Sequence, residues 1–353
     1  MKIAVYGSSL VSSYWNGAAT YYRGLFSALA PLGHAITFYE PDAFDRQQHR
    51  DIGPPDYAVS VVYPATPEGL AGALVAGAGA DVVIKCSGVG VFDDELLAGI
   101  LSHTGLRVFL DVDAAATLEA ARANPADPLH AALLSLDLVL TYGGGPPIVD
   151  AYIRLGARRC VPIYNALDPA THHPVPPDAR FTSGLAFLAN RLPDREARVE
   201  AFFLDAAARC PERAFLLGGN GWHDKATPPN VRAIGHVGTA DHNAFNCSAL
   251  AVLNVARDSM ASVGYSPATR VFEAAGAGVC LITDAWEGIE LFLQPETEVL
   301  VARDGADVAA HLRALTPARA QAIGAAALQR VRAGHTYTQR AEILDRLLRH
   351  MKA

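Results

Sequence analysis

The feature that most limits how this chain can fold is an alternation of two patterns. Short apolar runs of about four to six residues recur between longer segments whose apolar residues fall at helical spacing. Lys2–Tyr6 (KIAVY) is such a run and ends at Gly7; Gly17 to Leu32 then reads as a helix closed by Gly33-His34, before a second run at Ala35–Tyr39. Further strand candidates are Asp81–Lys85, Arg107–Val112, Leu138–Tyr142 and Cys160–Tyr164. Continuous rather than alternating apolarity is what a parallel sheet covered on both faces requires.

The pattern breaks at Asn165-Ala-Leu-Asp168-Pro169-Ala-Thr-His172-His173-Pro174-Val-Pro176-Pro177, which is proline-rich and polar, as a linker should be. It then restarts with Leu185–Leu188, Ala214–Leu217, Val231–Ile234, Leu250–Val255, Val279–Thr283 and Glu298–Ala302, and two or three helices close the chain. The expected architecture is α/β, with two Rossmann-like domains, 1–168 and 169–353, facing each other across a cleft. The last helix is expected to pack back on the first domain. In such sheets ligands gather outside the carboxyl ends of the strands, so the residues just after each strand carry the functional question.

At 353 residues, half of them hydrophobic, the chain can build two ordinary cores. No apolar run reaches the ~18 residues a transmembrane helix needs. The five cysteines are odd in number, scattered and free of any CxxC pair, which predicts reduced thiols and a cytoplasmic protein. A formal charge of −7 argues against nucleic acid as a partner.

In the first half, Gly7 to Gly17 lacks the G-x-G-x-x-G spacing of a dinucleotide site. It reads either as a flexible loop presenting Trp15 and Asn16 to a ligand or as a plain connection. Asp111-Val-Asp113 ends a strand; Asp113 is either a general base or the cap of the next helix. Gly143-Gly144-Gly145-Pro146-Pro147 is either a tight turn or a close backbone approach to a ligand.

In the second half, Asn190-Arg191 leads into Pro193-Asp194-Arg195-Glu196-Ala197-Arg198. Arginines at a strand-to-helix junction suit a phosphate, although Arg195 and Arg198 could equally pair with Asp194 and Glu200. Gly218-Gly219-Asn220-Gly221-Trp222 offers close backbone approach and an aromatic border for a base or sugar; Trp222 is otherwise a surface or interdomain residue. In Ser266-Pro267-Ala268-Thr269-Arg270-Val271-Phe272-Glu273-Ala-Ala-Gly276-Ala-Gly278, Ser266 reads as an N-cap and Pro267 as the first helical residue. Glu273 then stands on an apolar face. It could accept two hydrogen bonds from a vicinal diol such as a ribose, or pair with Arg270 three residues back.

Three blocks carry a family resemblance: Asn254-Val-Ala-Arg257-Asp258-Ser-Met260, Tyr265 to Gly276, and Ile282-Thr-Asp284-Ala-Trp286-Glu287-Gly288-Ile289-Glu290. Together they resemble the C-terminal domain of CgeB-like glycosyltransferases, within the GT-B group related to family-four enzymes. The N-terminal strand–loop–helix and the linker at Asn165–Pro169 are similar as well. The resemblance implies a GT-B fold with a nucleotide-sugar donor, of UDP type, in the C-terminal domain and the acceptor in the N-terminal one. It implies that Glu273 holds the nucleotide ribose. It further implies that Arg191 with Arg195 or Arg198 serves the diphosphate, and that Gly288 and Ile289 offer backbone N–H groups. The family's Glu-x7-Glu motif would place its first Glu at 265, where this chain has Tyr265. Asn190, Gly219, Trp222, Tyr265, Ser266, Thr269 and Arg270 complete the expected donor site, and Asp113 and Arg191 the expected catalytic pair.

The resemblance implies metal-independent, retaining transfer, with Asp113 as base if the reaction inverts. No dedicated metal site and no cofactor are expected, and His172-His173 reads as a lone linker pair. The acceptor stays open among small molecule, glycan and protein. Alternatives are a nucleotide-sugar-binding protein of the same fold that has lost transfer, and a nucleotide-sugar epimerase.

Overall fold

The apolar runs of the first half form seven strands in the computed structural model, which describes residues 1–352. They are β1 (Lys2–Tyr6), β2 (Ala35–Asp42), β3 (Val59–Pro64), β4 (Val82–Cys86), β5 (Leu106–Asp111), β6 (Leu138–Thr141) and β7 (Cys160–Pro162). Every ladder is parallel and the order is β3-β2-β1-β4-β5-β6-β7. The central strands β1 and β4 are buried almost throughout, as continuous apolar sequence demands. β3 is absent from the sequence reading because it is an edge strand, with half of its residues exposed and a proline at its end.

A second all-parallel sheet follows: β8 (Ser183–Leu188), β9 (Phe215–Gly218), β10 (Val231–Gly235), β11 (Ala249–Asn254), β12 (Leu281–Asp284) and β13 (Leu300–Ala302), in the order β10-β9-β8-β11-β12-β13. Its core gathers Leu185, Phe187, Phe203, Phe215, Leu253, Ile282 and Leu300 with helical partners such as Val308 and Leu312. Three helices end the chain: Gly305–Ala314, Pro317–Gly334 and Tyr337–Lys352.

The chain divides into two compact units. Met1–Asn165 folds together with the last helix, and Ala166–Thr336 forms the other. Each is a Rossmann-like parallel sheet clothed with helices. No helix among the described residues is long and apolar enough to cross a membrane. All five cysteines are free thiols.

Candidate functional site

In the second unit, the carboxyl ends of β8, β9, β11 and β12 carry most of the residues singled out in the sequence. The loop after β8 lies against the loop after β9. Asn190 Oδ1 accepts from the Asn220 N–H at 2.9 Å, and Trp222 Nε1 donates to the Ala189 carbonyl at 2.7 Å. Gly219, at φ +116°, permits this approach, because a Cβ there would lie 2.1 Å from the Ala189 oxygen. Trp222 is therefore neither a surface residue nor an open stacking platform. It is 3% exposed and belongs to the core, its indole nitrogen spent on a backbone carbonyl.

Two of the arginines after β8, Arg191 and Arg198, are committed to carboxylates. Arg191 grips Glu196 with two nitrogens (2.8 and 2.7 Å) and reaches Asp224 at 2.8 Å. Arg198 donates to the fully buried Asp284 at 2.6 Å, to Asp258 at 3.3 Å and to the Ala256 carbonyl at 3.0 Å. The pairing of Arg198 with Asp194 or Glu200 is corrected: Asp194 binds Arg257 and Glu200 binds Lys225. Of the two, Arg191 is the better placed to exchange partners, since Asp224 is largely exposed. Arg198 ties the ends of β11 and β12 together, and removing it would strand a buried carboxylate.

The segment before Glu273 also departs from expectation. The helix runs Thr269–Gly276 with Ala268 at its cap position. Ser266 is not the N-cap, because its hydroxyl turns back to the Gly264 carbonyl at 2.9 Å. Tyr265 adopts φ +49° and lies along the loop after β12. Its N–H donates to the Glu287 carbonyl at 2.6 Å, and its hydroxyl to Glu287 Oε1 at 2.9 Å. A Cβ at Gly288, which sits at φ +90°, would strike the Tyr265 ring at 2.2 Å. Ile289 follows it, buried.

Glu273 is buried, yet ionised. Burial pushes its carboxyl up, but the Arg270 guanidinium, His172, His242 and a hydrogen bond from Thr269 outweigh this and hold it down at about 2. Arg270 Nη1 lies 3.1 Å from Oε2, so the i,i+3 ion pair foreseen in the sequence forms. The same guanidinium reaches Asn246 Oδ1 (3.4 Å) and the Leu188 carbonyl (3.3 Å), which makes Arg270 a brace inside the unit rather than an open phosphate ligand. Below the carboxylate, Gly276 lets the helix rest on the linker, where a Cβ would lie 2.3 Å from the Leu167 side chain. That linker brings His172 Nε2 to 4.0 Å from Glu273 Oε1. His172 is thus no lone linker pair with His173; it and His242 flank Glu273, a long-range grouping that no local spacing announces.

In the first unit, Asp111 is a structural anchor. It is wholly buried and accepts from Ser87 Oγ (2.8 Å), Thr117 Oγ1 (3.0 Å), the Asp113 N–H (2.9 Å) and the Tyr152 hydroxyl. Asp113 stands at the cap position of Ala114–Ala123, but its side chain makes no capping bond. Asn16 is not presented to a ligand either: it accepts from Ser8 Oγ and donates to the carbonyls of Ser9 and Ser12, so the loop after β1 is stapled rather than flexible. Trp15 is 61% exposed. Gly144 (φ +88°) and Gly145 (φ +45°) make a tight turn into the helix Gly145–Arg154.

Residues 195–346 match the family described as glycosyl transferase-like. No curated protein matches the chain. Among solved structures, the sucrose-phosphate synthase of Thermosynechococcus elongatus is similar over 99% of both chains, at 16% identity and a TM-score of 0.72. Anabaena HepE, solved with UDP and glucose, is similar over 99% of this chain and 100% of its own, at 14% identity and a TM-score of 0.73. The glucosyltransferase of T4 phage, solved with its UDP-glucose substrate, is similar over 99% of both chains, at 12% identity and a TM-score of 0.63. At these identities the likeness speaks for the fold, and all three share it from end to end. With a glycosyl transferase-like domain over 195–346, the chain has the make-up of a glycosyltransferase, built on the GT-B fold.

Proposed function

We propose that this chain transfers a sugar from a nucleoside-diphosphate sugar, of UDP type, to an acceptor, and that it is a CgeB-like member of the GT-B group. The observation that carries the reading is the buried, ionised Glu273 on its short helix, on the same unit as the strand-end loops. A carboxylate with no proton of its own is the natural acceptor for the two hydroxyls of a ribose. Arg191 would take the diphosphate by giving up Asp224, with backbone N–H groups at Gly288 and Ile289 beside it. Tyr265 and Glu287 together would face the donor sugar, Glu287 supplying the carboxylate that position 265 lacks. Ala166–Thr336 is then the donor unit, and Met1–Asn165 the acceptor unit with Asp113 on its side. Leaving-group charge would be met by arginine and backbone rather than by a metal, and the anomeric configuration retained. Five free thiols fit a cytoplasmic setting.

The test is calorimetric titration with UDP, followed by a panel of UDP-sugars assayed for UDP release. Glu273→Ala should weaken UDP binding at least tenfold, about 1.4 kcal/mol. Unchanged affinity in that variant would overturn the ribose assignment. A second reading, donor binding without transfer, is favoured by Tyr265 and by the carboxylates already on Arg191. Binding without UDP release from any donor, with and without acceptors, would select it.

A further inference from the structure

His172, His242 and Glu273 come from three separate segments: the linker, the first residue of the helix His242–Cys247, and the helix Thr269–Gly276. One ligand-type atom from each lies within 4.8 Å of the other two. The arrangement is built in. Asn243 Nδ2 donates to the Thr171 carbonyl at 2.9 Å, the His173 N–H reaches Asn243 Oδ1 at 3.3 Å, and the Asp178 N–H donates to Ser248 Oγ at 2.7 Å. The linker is thereby pinned to the helix that carries His242.

The outer partners of the imidazoles are also in place. His172 Nδ1 lies 2.9 Å from Thr171 Oγ1, which leaves Nε2 toward Glu273. His242 Nε2 lies 3.3 Å from the Val237 carbonyl, which accepts its proton and leaves Nδ1 with a lone pair. At 4.0 Å, His172 makes no hydrogen bond to the carboxylate, and Arg270 Nη1 pairs with Oε2, the other oxygen, at 3.1 Å. Two imidazoles and a carboxylate oxygen, converging without bonding one another, are the ligand set of an open zinc site whose fourth position takes water. Closing to ligand contacts of about 2.0–2.2 Å requires side-chain shifts of roughly an ångström.

We propose that His172, His242 and Glu273 form a binding site for a divalent transition metal of zinc type, and that its occupation withdraws Glu273 from the nucleotide and so inhibits donor binding. With Oε1 on the metal and Oε2 on Arg270, one lone pair remains on each oxygen, but the ion and its fourth ligand occupy the approach to Oε1 and draw off the charge that would bind a diol. The nearby guanidinium repels the ion, which suits an exchangeable inhibitory site rather than a permanent structural one. The second clause rests on the donor reading above; the first does not.

The experiment uses the full chain and the metal alone. Co²⁺ is followed by its visible ligand-field absorption and then displaced by Zn²⁺. Wild type should saturate at one equivalent, with tetrahedral absorption. His172→Ala and His242→Gln should each weaken binding at least tenfold, while His350→Ala, on the last helix, should not. The absence of one-equivalent saturation, or equal binding in all variants, would place the metal on other histidines or cysteines and overturn the site. UDP is then titrated with and without Zn²⁺: at least tenfold weaker apparent affinity is expected in wild type and no change in His242→Gln. Undiminished UDP binding to the metal-loaded protein overturns the inhibition. Failure of the metal-free protein to bind UDP sinks the donor reading and the inhibition with it, while the cobalt spectrum still decides the site.

Discussion

At the scale of single residues, the second unit turns on a charge kept in the interior. Glu273 is ionised because Arg270 stands 3.1 Å away, and Arg270 is tolerated because Glu273, Asn246 and the Leu188 carbonyl receive it. Removing one member leaves the other buried without its counter-charge, which typically costs 3–5 kcal/mol, whereas replacing both by apolar or neutral groups costs far less. Arg270→Ala should therefore lower stability in urea by about 3 kcal/mol. Arg270→Met combined with Glu273→Gln should recover a good part of that loss, although donor binding stays weak. If the double variant is as unstable as the single one, the pair is not what holds this region together. The i,i+3 pair was legible in the sequence because both partners lie on one helix face. The partner of Arg198 and the second partner of Arg191 were not, since Asp284 arrives from the end of β12 and Asp224 from the loop after β9. Trp222 misled for a related reason: a tryptophan after a strand looks available until its indole nitrogen is seen to serve the Ala189 carbonyl.

At the scale of elements, the parallel strands were read directly because double-sided burial writes itself as unbroken apolar sequence. Edge strand β3 and the true start of the helix at Thr269 were not, because each depends on neighbours that local sequence does not name. The loop after β1 shows the same limit. Asp51 fastens it to the helix Ala19–Leu29, accepting from Arg23 Nη1 and Nη2 (2.9 and 2.7 Å) and from the Ser13 N–H and hydroxyl (3.0 and 2.7 Å). Burial pushes the Asp51 carboxyl up, but the Arg23 and Ser13 bonds prevail and hold it down at about 2. The folded form thus prefers the anion, so Asp51 contributes stability that is complete above about pH 4 and is lost as pH falls towards 2. Asp51→Asn should cost about 1–2 kcal/mol at neutral pH, allowing for partial solvent screening. It should also flatten the stability curve between pH 4 and 2, measured by urea unfolding. An unchanged acid limb would mean that the tether is made by Arg23 and the Leu10 carbonyl alone.

At the scale of the whole molecule, the chain begins and ends in the same unit. The last helix, Tyr337–Lys352, buries Ala341, Leu344, Leu347 and Leu348 and meets the helix Ala19–Leu29 at a close approach that only glycine allows: a Cβ on Gly24 would lie 2.2 Å from the Tyr337 ring. Polar contacts fix its register. His34 Nε2 lies 2.7 Å from Asp345 Oδ1, Arg349 donates to the Leu32 carbonyl at 2.9 Å, Arg340 to the Tyr164 carbonyl at 3.3 Å, and Lys352 pairs with Asp81. The unit holding Met1–Asn165 therefore has a discontinuous sequence, while Ala166–Thr336 is continuous. Deleting 337–353 strips three leucines from the first unit, each worth about 1.5–3 kcal/mol of burial, and uncovers the face they protected. Calorimetry of that truncation should show the transition of the first unit lowered by many degrees or lost, with the transition of Ala166–Thr336 unmoved. Gly24→Val, which blocks the same approach from the other side, should move the same transition in the same direction by a smaller amount. A truncation that shifts only the second transition would show that the last helix takes its stability from Ala166–Thr336, against every contact it makes with the first unit.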